Sequence, residues 1–331
     1  MITSKDIQQR LQEIEDFLGE EYKKQKVQEK RDWKTFEQRL SKRIKEAIRN
    51  LEPLIDEAIS TIRIKKEKGR KPSITLKQKV ILLLLKQLFG KSNRMMASMV
   101  DIFSLLSGVD ISYKTVERLY SDSEVEIAIH NLHVLILKKK GIKKVDASGD
   151  GTGYSLTIKK HYATEIEKRK DKAKKTEYNE KKLFIYSFKM LDLKTRMYIA
   201  YGTSFVSEKR AFDMAMNMLQ DIDITMKSVR LDKYYSTTSY VDRFKGSTVY
   251  VIPRKNSTLR GSWKWKRTMM RFVDDTIDYL KEYYLRNNSE SGFSVDKKWF
   301  GWKVMQKRED RIDTAISCTN IWHNMLNLYP V

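Results

Sequence analysis

Cysteine is almost missing: Cys318 is the only one in 331 residues, so no intrachain disulfide can form and a reducing compartment is the expected home. Long apolar runs are missing too. The longest, VILLLL at 80–85, falls far short of a membrane span. The start, MITSKDIQQRLQEIEDF, is charged throughout and has no apolar h-region, so no signal peptide is expected. Histidine is scarce. His130 and His133 fall on a predicted helix with no cysteine or third ligand nearby, and His161 and His323 are isolated, which argues against zinc. The glycines of DGTG at 150–153 have neither a P-loop lysine nor Rossmann spacing, and no serine or cysteine has the context of a nucleophile triad.

Positive charge is abundant. Lys plus Arg number 66 against 43 Asp plus Glu, a formal net charge of +23. A surplus that large goes beyond what solubility needs and points to a polyanionic partner bound in a salt-sensitive way, nucleic acid ahead of an anionic membrane surface. With 40% apolar residues the chain can build a real core, and its length suggests roughly two domains.

Residues 1–72 read as charged amphipathic helices, with apolar positions at Ile7, Leu11, Ile14 and Leu18, then Trp33, Phe36, Leu40, Ile44, Ile48, Leu51 and Ile55 at steps of three and four. Gly69 to Ser73 is a basic break. Residues 73–140 read as further helices through VILLLLKQLF, MMASMVDIFSLL and YKTVERLY. The last two resemble a helix-turn-helix in which Tyr113, Lys114, Thr115 and Arg118 face the groove, although any three-helix packing unit yields the same pattern.

From 141 to 331 the texture alternates. IKKVDASGD reads as a strand, LFIYSFKML and TRMYIAYGT as a hairpin about DLK, and SEKRAFDMAMNMLQDI as a helix capped by Ser207. SVRLD is a strand ending on an acid, TTSYVDRF a helix, and STVYVIP a strand stopped by Pro253, which together imply a parallel βαβ unit. The expected architecture is a hairpin-led mixed sheet with helices on its faces. Between strand and hairpin lies 159–182, with ten basic and five acidic residues and no apolar periodicity, expected as an exposed loop.

Carboxylates stand at the ends of these elements. Asp146 and Asp150 lie four apart on a predicted strand, hence on one face. Asp232 closes SVRLD. Glu290 lies in YYLRNNSESGFSVDK, where Tyr283, Arg286, Glu290 and Lys297 would share one face of a continuous helix at about 100° per residue. Buried carboxylates gathered from distant segments repel one another unless cations intervene. Magnesium suits such a set, and two ions about 4 Å apart can activate an attacking oxygen and stabilise a leaving one at a phosphodiester.

The order Asp150, Asp232, Glu290 and the spacing Tyr283-x2-Arg286-x3-Glu290-x6-Lys297 resemble the DDE transposases of bacterial and archaeal insertion sequences. DGTGYS at 150–155 is similar to that family's first motif, and LDKYYS at 231–236 followed by VIPRKN at 251–256 to its second. The likeness covers about 145–331. It implies an α/β, RNase H-like catalytic domain preceded by an all-helical N-terminal region. It also implies a prokaryotic, cytoplasmic, nucleoid-associated enzyme that cleaves the ends of its element and joins them to target DNA. On this resemblance Asp150, Asp232 and Glu290 hold two Mg²⁺ ions, with Mn²⁺ able to substitute. Tyr283, Arg286, Lys297, Arg254 and Lys255 contact DNA, and Trp265 or Trp263 stacks on a displaced base. Double-stranded DNA, both terminal inverted repeats and target, is the implied partner, no membrane is involved, and the active complex is a homodimer or larger.

The residues after Asp150 fit the first motif better than those after Asp146, which stays as an alternative first ligand. Only 58 residues separate Asp232 from Glu290, room for a small insertion, so hairpin formation at the cut end does not follow. A stand-alone nuclease on the same fold would use the same carboxylates without needing Tyr283, Arg286 or Lys297. A non-enzymatic DNA-binding remnant is a third reading, against which the three intact acids argue.

Overall fold

The computed structural model describes residues 3–24, 32–63, 74–90, 92, 95–107, 109–156, 185–301, 303–306 and 308–329; the side chains of 15–24, 103, 106–107, 288 and 290 lie outside that description. The basic break at 69–73 and the charged segment 159–182 also fall outside the described residues.

Six helices precede the sheet: α1 (Ser4–Lys24), α2 (Trp33–Ile59), α3 (Leu76–Phe89), α4 (Met96–Ser107), α5 (Tyr113–Leu119) and α6 (Ser123–Lys139). Their limits follow local chemistry. Thr75 and Gln78 form a reciprocal capping box at the start of α3, and Gly90, at φ 59°, closes it in the left-handed region. Asp122 caps α6 through the amides of Glu124 and Val125. The expected helix-turn-helix pair is α4 and α5; Lys114 and Arg118 are exposed, while Tyr113 and Thr115 are partly covered.

The sheet contains β1 (Lys144–Leu156), β2 (Ile185–Asp192), β3 (Tyr198–Ser204), β4 (Thr225–Leu231) and β5 (Thr248–Tyr250) in the order β3-β2-β1-β4-β5. β1, β2 and β3 are antiparallel neighbours, whereas β4 joins β1 and β5 joins β4 in parallel. A two-residue strand that the sequence pattern did not indicate, β6 (Lys303–Val304), pairs with the far end of β1. The expected hairpin, the Ser207 cap and the parallel pair β4/β5 are all present, with Ser207 Oγ accepting from Arg210 N at the start of α7 (Glu208–Gln220). Between β4 and β5 the chain makes a short 3-10 turn (Lys233–Tyr235) and one α-helical turn, α8 (Thr238–Val241).

After β5 come α9 (Trp263–Asp274), α10 (Thr276–Tyr284), α11 (Asn287–Phe300) and α12 (Glu309–Leu328). No continuous helix runs across 283–297. The chain turns at Leu285 and Arg286, and Arg286 is the N-cap of α11. Gly292 does not end the second piece: it lies mid-helix, where an added Cβ would stand 3.2 Å from the Tyr198 hydroxyl, so its lack of a side chain lets α11 lie close on β3.

α12 is buried on every side and joins the early helices to the sheet. Trp322 Nε1 donates to the Leu84 carbonyl at 2.7 Å, and Thr314 Oγ1 to that of Tyr120 at 2.8 Å. On the opposite face, Asn324 clamps β3 by accepting from Tyr198 N at 2.7 Å and donating to Tyr198 O at 2.8 Å. One large hydrophobic cluster therefore runs from Ile7 to Leu328, beside a small second one of Leu191, Tyr198 and Phe293. Each polar group that α12 carries inward costs free energy unless bonded, which is why these bonds recur along it.

Candidate active site

β1 carries the site because strand periodicity aims alternate residues at one face. Asp146, Ser148, Asp150 and Tyr154 share one face of β1, and on it Ser148 and Asp150 meet Arg286 and Ser289 while Tyr154 lies by Lys297. Parallel pairing of Gly149 with Leu231 brings the end of β4 beside Asp150, so Asp232, the next residue, emerges there. Asp232 caps a short 3-10 turn (Lys233–Tyr235), its Oδ2 accepting from Tyr234 N at 2.9 Å. Asp150 Oδ1 accepts from Gly151 N at 2.8 Å.

Arg286 links the two acids. Its Nη1 lies 3.3 Å from Asp150 Oδ2 and its Nη2 3.3 Å from Asp232 Oδ1. Asp150 and Arg286 side chains are each 17% exposed and Asp232 is 34% exposed, so the cluster is shielded yet reachable. The main chain of Arg286 is tied to β1: its carbonyl accepts from Ser148 Oγ at 3.3 Å and from Ser289 Oγ at 2.7 Å, and the two serine hydroxyls are 3.0 Å apart. Glu290 follows Ser289 directly, one helical turn beyond Arg286; its side chain lies outside the described residues.

Asp146 has other company. It accepts from Ser228 Oγ, is 3.9 Å from Arg230 Nη1, and is 51% exposed. Arg230 is itself buried, pairs with Glu282, donates to the Glu282 carbonyl at 3.1 Å and lies over the Tyr250 ring. Asp150, rather than Asp146, shares a guanidinium with Asp232.

The remaining residues flagged from sequence divide sharply. Tyr283 is buried, its ring 5.7 Å from the Arg286 guanidinium, and burial pushes its hydroxyl well above the usual tyrosine range. Its place is beneath Arg286. Lys297 Nζ lies 5.6 Å from the centre of the Tyr154 ring; burial, then the nearby Lys189 charge, lowers its pKa. Arg254 donates to the Tyr234 carbonyl, and Lys255 is exposed. Trp265 is buried and bonds the Thr258 carbonyl at 2.8 Å, so it offers no free face; Trp263 is 69% exposed.

Sequence reading passed over a buried network behind the site. Lys189, the cross-strand partner of Asp150, is fully buried and pairs with Asp296 Oδ2 at 3.0 Å. Asp296 also accepts from the Tyr198 hydroxyl at 2.7 Å, and its Oδ1 lies 2.7 Å from His323 Nδ1. Burial would raise the Asp296 carboxyl, but His323, Lys189 and the tyrosine bond together carry it well below the ordinary carboxylate range. For Lys189, burial is likewise outweighed, by Tyr154 and Asp296, and its pKa rises. A lysine in the middle of the apolar run LFIYSFKML was the available signal. Among the described residues no cluster of three or more His, Cys, Asp or Glu is arranged to hold a metal, and Glu290 is not among the side chains described.

One curated relative compares with the chain over nearly its whole length. A probable transposase for insertion sequence element ISA1214 from Archaeoglobus fulgidus is 41% identical over 325 residues, 98% of this chain and 96% of that protein. The chain belongs to the transposases of insertion sequences. No family model and no solved structure matches it. A transposase is a DNA-cutting and DNA-joining enzyme, and the likeness to the relative takes in the helical region as well as the sheet. Within the described residues of this transposase no helix is long and apolar enough to cross a membrane.

Proposed function

We propose that the chain is a DDE-type transposase with an RNase H-like catalytic domain at 141–331, cleaving the ends of its own insertion sequence and transferring them into target DNA. The observation that carries this reading is the convergence of Asp150 and Asp232, from separate strands, on one guanidinium. The hairpin-led mixed sheet, extended on one side by parallel strands, supports the fold assignment. Likeness to the relative along the whole chain favours a transposase over a stand-alone nuclease.

The donor set fits magnesium. Asp150 and Asp232 offer hard carboxylate oxygens, and one guanidinium neutralises only one of the two charges even before Glu290 is counted. Asp150, Asp232 and Glu290 would hold the ions, which when bound supply Lewis-acid polarisation of the phosphate and a lowered pKa for the attacking hydroxyl group. The chain's own residues orient the DNA. Arg286 reaches the place where a phosphodiester must sit, Lys297 adds charge further along β1, and Arg254 and Lys255 extend the positive lining past Asp232. Tyr283 supports Arg286 from below. The partner is double-stranded DNA, first as terminal inverted repeats and then as target, handled by a homodimer or larger complex.

An excision assay tests the function. A marker flanked by the inverted repeats of the element that carries this gene should be excised by the wild-type chain and not by Asp232→Ala, while Asp232→Ala still shifts repeat DNA in a gel. Excision by Asp232→Ala would contradict the site; failure of the wild type to act on its own repeats would contradict the function.

A further inference from the structure

We propose that Tyr154 is the positioning residue for Lys297: its ring holds the ammonium group at the far end of β1, ready for a backbone phosphate of the element's DNA. This rests on the transposase reading above. Tyr154 is buried, and its ring centre lies 5.6 Å from Lys297 Nζ, inside the range at which the electron-rich face of a ring attracts an ammonium group. Lys189 Nζ stands at the same 5.6 Å, but that lysine is already paired with Asp296. Among the described residues the Tyr154 hydroxyl makes no hydrogen bond, although it is buried, which leaves the ring as the part the site uses.

The backbone delivers Lys297 to this ring. α11 is tied to β1 at its start by the Ser148 and Ser289 hydroxyls. The chain after α11 returns to the same strand as β6, whose Lys303 and Val304 pair with Ser155 and Leu156, the two residues after Tyr154. Of the doublet Lys297-Lys298, Lys298 is exposed and Lys297 partly covered. A lysine side chain loses rotamer freedom when a contact orders it, and a ring that already orders the ammonium group removes part of that cost when DNA arrives. Tyr154 lies four residues beyond Asp150 on the same face of β1, about 13 Å at the usual strand rise. That separation assigns Lys297 to a phosphate other than the one at the carboxylates, so loss of the ring is felt in DNA binding before the rate of cutting.

The test measures binding of the full chain to a duplex carrying its element's terminal repeat at several salt concentrations. Wild type is compared with Tyr154→Phe, Tyr154→Leu and a chain with pentafluorophenylalanine at 154, each also in the Lys297→Ala background. Pentafluorophenylalanine keeps the shape of the ring and reverses the charge of its face. Tyr154→Phe should bind like wild type. The leucine and pentafluoro variants should bind about threefold more weakly, with a shallower slope of log affinity against log salt. In the Lys297→Ala background the same changes should have no further effect, an outcome that a merely structural role would not give. If Tyr154→Leu fails to fold, the pentafluoro ring decides. The assignment is overturned if the pentafluoro variant binds like wild type, if Tyr154→Phe loses as much as Tyr154→Leu, or if the losses persist in the Lys297→Ala background. A wild-type chain that does not bind its own repeats would instead overturn the function.

Discussion

Asp150 and Asp232 share one guanidinium: Arg286 places Nη1 3.3 Å from the first and Nη2 3.3 Å from the second. On the proposed function, a divalent cation would compete with Arg286 for the same two carboxylates. Replacing Arg286 by Ala should therefore tighten Mg²⁺ binding, by roughly fivefold if about 1 kcal/mol of competing attraction is removed. The same variant should cut DNA more slowly at saturating Mg²⁺, because the phosphate loses its bidentate partner. Metal titration followed by cleavage at several Mg²⁺ concentrations separates the two effects.

The Lys189–Asp296 pair holds α11 on the sheet from within. Removing one partner strands a buried charge, so Lys189→Met should cost about 3–5 kcal/mol, read as a lowered midpoint in urea unfolding. The pH dependence has a definite sign. Asp296 has a depressed pKa in the folded chain, so its contribution is complete above the unfolded carboxylate value near 4 and is lost as pH falls below it. Wild type should lose thermal stability on acidification below about pH 4 more steeply than Asp296→Asn.

Gly151 leaves room for the carboxylate of Glu208, which receives the Tyr235 hydroxyl bond. A Cβ there would stand 2.3 Å from Glu208 Oε1 and 3.1 Å from the Tyr235 hydroxyl. Gly151→Ala should cost about 1–3 kcal/mol in stability from overpacking and should slow cleavage, since both Asp150 and the turn that carries Asp232 are adjacent. Calorimetry and cleavage on one preparation check both.

Lys297 lies further along β1, its Nζ 5.6 Å from the centre of the Tyr154 ring. Lys297→Ala should weaken repeat-DNA binding and reduce the slope of log affinity against log salt by about 1, with the cleavage rate of bound DNA less affected. Binding measured at several salt concentrations decides it.

Much of the architecture was legible from spacing alone. Apolar steps of three and four along 33–55 correspond to α2, the DLK turn to the β2/β3 hairpin, and Ser207 to the cap of α7. Local signals specify these elements. The break at Leu285 and Arg286 was not legible, because Asn287, Asn288 and Ser289 are weak helix formers that tertiary contacts nonetheless hold in α11, Ser289 through Ser148. The Lys189–Asp296 pair spans 107 residues of sequence, and no local pattern links its members.

The central claim is that Asp150 and Asp232 form the metal-holding pair. The most direct measurement is single-turnover cleavage of a labelled element-end duplex in Mg²⁺ by wild type, Asp150→Asn and Asp146→Asn, each shown to be folded and to bind the duplex. Asp150→Asn should lose about three orders of magnitude in rate, and Asp146→Asn should stay within about tenfold of wild type. Cleavage by Asp150→Asn at the wild-type rate, or loss confined to Asp146→Asn, would contradict the account.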